Sequence, residues 1–576
     1  MSLEETRARL LTACETEGDL LALISDLYVQ EINSKEKYLA AALTELNNSN
    51  IIDIVKIVKG VDKNSCGRNL FTILIAFEKT LPELDSRVED VLDCLVHLTQ
   101  QLGADAAISG IYTAFQRYCS AGVQRPRESI RFILAQSEMN AYAPFLSNSI
   151  LAYNSDSVLE AIQATEDLIS NSNEIIRNQA YLTLGWLDVN ETKANDIWAL
   201  ISSNAISEND NGCRTSILRA IFHFGKKFPT YWPMIESLLN TVLEKISVDN
   251  LYMLSADVAF QRFGLPKSIL HLIVKQLTNV SPEHKNLIDN IDHLLVMLVE
   301  IEESCLAIEL LESILVKGIK FKSLGYFSNE LITKYHELRN HIITKWLLDG
   351  DVQLCRSIMN LLHDSAGKVV ELKAEMALLD NDVKQVFVSH KVIGWLFTTP
   401  VAAASFIISI SEIASVDTIK KLEGILYYPL LISYPGELGE FLQSLIDKGV
   451  QKNLCERLLE KNKSYNANIE KVFKVNELKA PSENLNAYWR NVEKGMQEAH
   501  DEASRSSFIQ MIAKTNVLLY GNSSVYYMHQ DEGNSIRQEM QMHSFSHSTE
   551  MPRLNVLDPV SLEYFLMTCR CEKMKK

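Results

Sequence analysis

The chain has 576 residues, enough for roughly three or four ordinary domains or one long repeat array. Hydrophobic residues make up 47% and charged residues 22%, a globular balance that excludes wholesale disorder. A formal charge of −17 argues against a nucleic-acid coat as the main role and leaves room for a local basic groove.

At the N-terminus, Met1-Ser2-Leu3-Glu4-Glu5 lacks the apolar core of a signal peptide, and Ser2 with Glu5 makes a capping box that opens a helix. Two apolar stripes follow at helical spacing: Leu10, Leu11 and Cys14, then Leu20, Leu21, Leu23, Ile24 and Leu27, parted near Gly18-Asp19. The same pattern recurs over Asn50 to Lys59, Arg68 to Lys79, Arg87 to Leu102 and Ala106 to Ser120. It continues over Leu159 to Ser170, Glu174 to Leu187, Tyr231 to Ile246, Leu294 to Lys317 and Asp351 to Leu362. The breaks carry Asn, Asp, Ser, Gly or Pro, the residues that cap helices and make turns. Helices of this length cannot each bury an apolar face alone, so they must stack on their neighbours. Val392 to Ser411 has no charged residue, yet five Thr and Ser residues interrupt it and Pro400 splits it. Thr399-Pro400 predicts an N-cap and first position of a buried helix, and no membrane association is expected.

One window carries a repeat signature. Asn173 to Gly185 combines a polar cap, Ile176-Arg177, Ala180 three positions later and Leu184-Gly185. It closely resembles the second helix of a HEAT repeat. Echoes occur at Asn211 to Ala220, with Arg214 placed 37 residues after Arg177, and at Ser65 to Thr72. The resemblance covers about residues 60–260 and implies a HEAT/armadillo-like α-solenoid with Ile176, Ala180 and Leu184 facing the core. By helical periodicity the array is expected to span 1–475.

A polar linker and an amphipathic helix are expected over 476–515, with Leu485, Tyr488, Trp489, Val492 and Met496 on one face. Residues 516–576 change period. Asn516 to Tyr520, Ser524 to Met528 and Ile536 to Phe545 read as strands of a β-meander, and Asp558-Pro559 opens a final helix. The expected fold class is therefore mainly α, a HEAT-like solenoid with a small α+β appendage at 516–576.

Chemistry-bearing patterns are sparse. Neither phosphate-cradling glycine loop occurs, and the Gly367-Lys368 pair lacks the rest of one. His543 and His547, with His529 and the Cys569/Cys571 pair, are the candidates for a metal, but no HExxH motif is present and no metal or cofactor is expected. No Ser or Cys nucleophile stands in a catalytic motif, so no catalytic residue is named. Single, scattered cysteines among apolar neighbours point to a reducing cytoplasm. Arg117, Arg125, Arg127 and Arg131 form a basic cluster suited to phosphate contacts, although pairing with nearby acids such as Glu128 accounts for it better. The expected function is a non-catalytic scaffold or adaptor that binds a protein partner through its repeat surface and C-terminal unit. Tyr488, Trp489, Tyr526 and Tyr527 are its contact candidates. A subunit of a bacterial defence-type assembly is one setting for such a protein, with no residue pointing to it. The alternatives are a nucleic-acid-binding repeat protein using the arginines, and a metal-dependent enzyme at the C-terminal histidines.

Overall fold

The computed structural model describes residues 2–574 except 15–16, 33, 35, 68, 104–109, 154–156, 262–263, 364–368, 473, 476–481, 506–512, 520–522, 530–534 and 542–549. Outside 513–541 every regular element among the described residues is helical, so the protein is mainly α. No helix among them is long and apolar enough to cross a membrane.

Local signals set the helix ends. Ser2 Oγ accepts from the Glu5 amide at 3.2 Å, and the Glu5 carboxylate accepts from the Ser2 amide at 3.4 Å, completing the capping box. Asn173 caps Glu174–Leu184 through the Ile175 amide. Asp558 caps Pro559–Cys571 through the Ser561 amide. One expectation is corrected. The stretch Leu294 to Lys317 is not one helix but parts of Lys285–Glu300 and Ser304–Val316. Glu302 adopts the left-handed conformation (φ 64°), and the Glu303 amide turns back to the Leu298 carbonyl at 2.8 Å, which ends the first helix. The helix expected from Ala106 runs Ile111–Ser120, and residues 104–109 lie outside the described residues.

The chain divides into two compact units, 1–280 with 289–297, and 281–288 with 298–576. In the first, the helices pack in a helical-repeat-like arrangement. Asn69–Thr80, Ile111–Ser120, Leu146–Leu151, Glu174–Leu184, Asn211–Lys227 and Val248–Gln261 pack in succession as one row. Glu191–Ser207, Trp232–Val242 and Lys267–Leu277 form a second row beside it. Ile176, Ala180 and Leu184 are all buried, as their four-residue spacing requires.

Buried polar side chains tie the first row together. Ser147 Oγ donates to the Gln179 carbonyl at 3.0 Å, and Ser216 Oγ to Asn178 Oδ1 at 3.1 Å. Asn250 Nδ2 donates to the Asn211 carbonyl and to Thr215 Oγ1, at 2.5 and 2.7 Å. Asn290 Nδ2 donates to the Tyr252 carbonyl and to Ser255 Oγ, at 3.0 and 3.1 Å. Each link crosses to the neighbouring helix, and a buried amide without such a partner costs about 1–3 kcal/mol.

Glu208 joins three helices. It ends Glu191–Ser207, its carboxylate accepts from Arg177 Nε at 2.9 Å and from Tyr181 at 3.1 Å, and its carbonyl accepts from Arg214 Nε at 2.8 Å. The two arginines 37 residues apart therefore meet at one acid. Burial works to raise this carboxyl, but hydrogen bonds from Arg177, the Asp210 and Asn209 amides and Tyr181 outweigh it and bring it down to about 2. A carboxyl lowered on folding adds stability above its ordinary 4.5 and loses it as the pH falls towards about 2. Glu208→Gln should therefore be less stable than wild type at pH 7, by on the order of 2–3 kcal/mol in urea titrations. The gap should narrow between pH 4.5 and pH 3, and a pH-independent gap would contradict this account.

In the second unit, Pro400–Ser411 is buried on every side. Pro400 takes its first position after Thr399, as expected, although the Thr399 hydroxyl donates backwards to the Leu396 carbonyl. Its serines have a structural reason. The irregular stretch 369–375 runs between this helix and His336–Asp349, and its amides alternate between the two. Leu372 and Ala374 donate to Ser405 Oγ and Ser409 Oγ, each at 2.9 Å, while Lys373 and Glu375 donate to Asn340 Oδ1 and Thr344 Oγ1 at 3.3 and 2.9 Å. Ser409→Ala should orphan a buried amide and cost about 1–3 kcal/mol in chemical denaturation. An unchanged midpoint would show that the stretch finds other acceptors.

Near its end the chain returns onto this unit. The Glu550 carboxylate accepts from the Gly436 and Glu437 amides at 2.9 and 2.6 Å, at the N-terminus of Glu437–Asp447. Arg553 bonds Asn466 on the helix Lys452–Val472. Pro559–Cys571 then buries Leu562, Leu566 and Cys569 and packs on Asp382–Leu396. Lys391, 2% exposed, donates to the Arg570 carbonyl at 2.6 Å, and Arg570 Nε donates to the Gly394 carbonyl at 2.6 Å. A Cβ at Gly394 would lie 2.9 Å from the Arg570 amide nitrogen, so only glycine admits this approach.

Candidate functional site

The residues singled out from the sequence fall in three places. The side chains of His529, Tyr526 and Tyr527, and all of His543, His547, Gly367 and Lys368, lie outside the described residues. Cys569 is buried, with burial pushing its thiol up to about 12, and Cys571 is exposed. Among the described residues no three His, Cys, Asp or Glu side chains are gathered to hold a metal ion.

Tyr488 and Trp489 stand on Ser482–Arg505, edge to face at 5.7 Å. The stripe they belong to divides. Tyr488 is half-buried with its hydroxyl against the Met551 sulfur, while Leu485, Trp489 and Met496 are exposed.

Two of the four arginines of the basic cluster are engaged. Arg125 lies over the Tyr118 ring, its Cζ 4.1 Å from the ring centre, and donates to the Tyr118 and Leu84 carbonyls at 3.0 and 2.9 Å. Its guanidinium holds a helix junction together, and a phosphate would have to displace those bonds. Arg127 pairs with Glu160 at 2.7 Å. Arg117 and Arg131 are exposed on Ile111–Ser120 and Arg125–Leu134.

The most developed surface was not singled out from the sequence. Trp186, 59% exposed, lies over the His223 ring at 4.1 Å, and Phe260, 56% exposed, lies against the His293 ring at 5.0 Å. Trp186, His223 and Phe260 are each 37 residues apart, the spacing of Arg177 and Arg214. Extending that period beyond its first pair is the signal that finds them.

The row of helices builds this surface. Gly185 ends Glu174–Leu184, and a Cβ there would lie 2.8 Å from Ala220 Cα and 3.0 Å from His223 Cβ. The missing side chain lets the two helices close until Trp186 reaches His223. On the other face of Asn211–Lys227, Phe224 packs on Trp198 at 5.8 Å and on Tyr231 at 5.0 Å, so the helix cannot roll freely. His293 follows Asn290 by three residues, so the amide that links this turn to the preceding helix also sets its ring. Burial, then Lys226 and Arg219, hold the His223 imidazole below its ordinary value against the opposing pull of Asp257, and the ring is neutral at pH 7. The result is two tilted aromatic–histidine ring pairs on successive helices of one row.

Gly185→Ala should press on the Ala220 backbone, which cannot turn aside as a side chain can. We expect a loss of about 1–3 kcal/mol in chemical denaturation. An unchanged transition would mean that the two helices part freely. No family model matches the chain, and no curated protein matches it.

Proposed function

We propose that this chain is a non-catalytic scaffold, a HEAT-like α-solenoid that holds a protein partner on the face carrying Trp186, His223, Phe260 and His293. The carrying observation is the pair of large aromatic rings, each more than half exposed, Trp186 in the turn that ends Glu174–Leu184 and Phe260 on Val248–Gln261, in a row of helices tied by hydrogen bonds from buried side chains. Aromatic anchors on a rigid frame give up little conformational entropy on binding, and they dominate the energetics of protein interfaces. The two-row packing and the meeting of Arg177 and Arg214 at Glu208 support the solenoid reading. Ten free thiols fit a reducing cytoplasm.

A second contact region lies between Val472 and Glu550. The chain leaves after Lys452–Val472 and returns to the same helix through Arg553 and Asn466. In between stand the exposed stripe Leu485, Trp489 and Met496 and a backbone running Ala513–Leu519, Ser523–His529 and Ser535–Gln541 in antiparallel order. We read this as a β-meander. The nucleic-acid alternative draws no support from Arg125 and Arg127, which are engaged within the fold.

The test is affinity capture with tagged full-length chain, comparing wild type with Trp186→Ala/Phe260→Ala. Each ring should contribute about 1–2 kcal/mol, so a specific captured protein should bind the double variant at least tenfold more weakly, with helicity unchanged by circular dichroism. Equal capture by both forms would move the binding surface elsewhere, with Trp489→Ala the next variant. A salt-dependent gel shift of duplex DNA by the wild type would favour the nucleic-acid reading.

A further inference from the structure

The helix Pro559–Cys571 has two apolar faces. Leu562, Leu566 and Cys569 form the first and are buried on Asp382–Leu396. Val560, Tyr564, Met567 and Cys571 form the second, at i, i+4, i+7 and i+11. Val560 is 79% exposed, Tyr564 76% and Met567 48%, and Cys571 is exposed as well. A helix that docks by one face needs only one apolar stripe, so the second is surplus to folding.

We propose that this second face is covered by a second copy of the same chain, the two C-terminal helices packing antiparallel about a two-fold axis. A two-fold contact must be self-complementary, and this stripe is. Reflected about the point between Phe565 and Leu566, Val560 falls opposite Cys571 and Tyr564 opposite Met567, so each large side chain meets a smaller or more pliable one. At the two ends the same antiparallel order brings the N-cap Asp558 of one copy towards Lys573, two residues past the helix end of the other, both exposed and of opposite charge. Parallel pairing would instead set like charge against like. Self-association of a chain with a charge of −17 also requires a face where close approach costs little. Here Ser561, Glu563 and Thr568 flank the stripe with a single charge among them. With one helix contributed by each copy the contact is small, so the association is weak, in the micromolar range.

Sedimentation velocity on the full chain, from about 1 to 200 μM, should show a monomer–dimer equilibrium. Tyr564→Glu should weaken it at least tenfold while melting at the wild-type temperature, because the substituted face is exposed. Antiparallel register puts the two Cys571 thiols about 16 Å apart along the axis, too far to join. Val560→Cys, in contrast, should oxidise to a covalent dimer linked 560 to 571 by peptide mapping. A monomer at every concentration would overturn the proposal, as would a dimer indifferent to Tyr564→Glu or a wild-type Cys571–Cys571 link. A monomer whose captured partner is lost on Tyr564→Glu would assign this face to another protein and would also refute self-association.

Discussion

Asn250 makes two hydrogen bonds into the helix before it, and Asn290 does the same one helix later. These bonds are the constraint on which the first unit rests. Apolar packing between helices is non-directional, and neighbours could slide by a turn at small cost if only leucines met. A buried amide removes that freedom, because sliding leaves its donors and acceptors unpaired. Register between neighbours then decides what appears at the surface, and Trp186 over His223 is the outcome of one such register.

The second unit meets the same demand differently. Its stretch 369–375 is irregular, so its amides lack helical partners and must find them in the flanking helices. Ser405, Ser409, Asn340 and Thr344 supply them. Lys391 is the most costly member of this unit. Burial pulls its ammonium below the ordinary value, with the Cys355, Glu572, Cys571 and Cys569 groups opposing. The Arg570 carbonyl accepts a hydrogen bond from it, so the last turn of the C-terminal helix is held by a buried ammonium.

The proposed role follows from where rigidity and exposure coincide. A scaffold needs anchors that are ordered before the partner arrives. The rings of the first unit meet that requirement through the helices beneath them. The unpaired stripe of the C-terminal helix meets it through Lys391 and Gly394, which hold its other face in place. In the roles proposed for them, the two surfaces serve different ends, one for a partner and one for a second copy.

Much of the fold was legible in the chain. Caps, proline positions and apolar stripes are local properties, so Ser2 with Glu5, Asn173, Asp558 with Pro559 and the buried face of Ile176, Ala180 and Leu184 could be read directly. The serines of Pro400–Ser411 argued correctly against a membrane span, but their role did not show, because their partners lie more than thirty residues away. The break at Glu302 escaped for the opposite reason: a left-handed glutamate carries no glycine to announce it. The candidate site was the least legible part. Arg125 was expected to pair with nearby acids, because charge is visible in a sequence and a carbonyl partner 41 residues away is not. Trp186 and Phe260 were not singled out, because apolar type is visible in a sequence and exposure is not. What the sequence by itself determined was which segments form helices and which face of each is apolar, since both depend on neighbours within a few turns. Which helices meet, and therefore which rings and charges reach the surface, was decided by tertiary contacts, because such partners lie 39 and 38 residues from Asn250 and Asn290 in the first unit and up to 182 residues apart in the second.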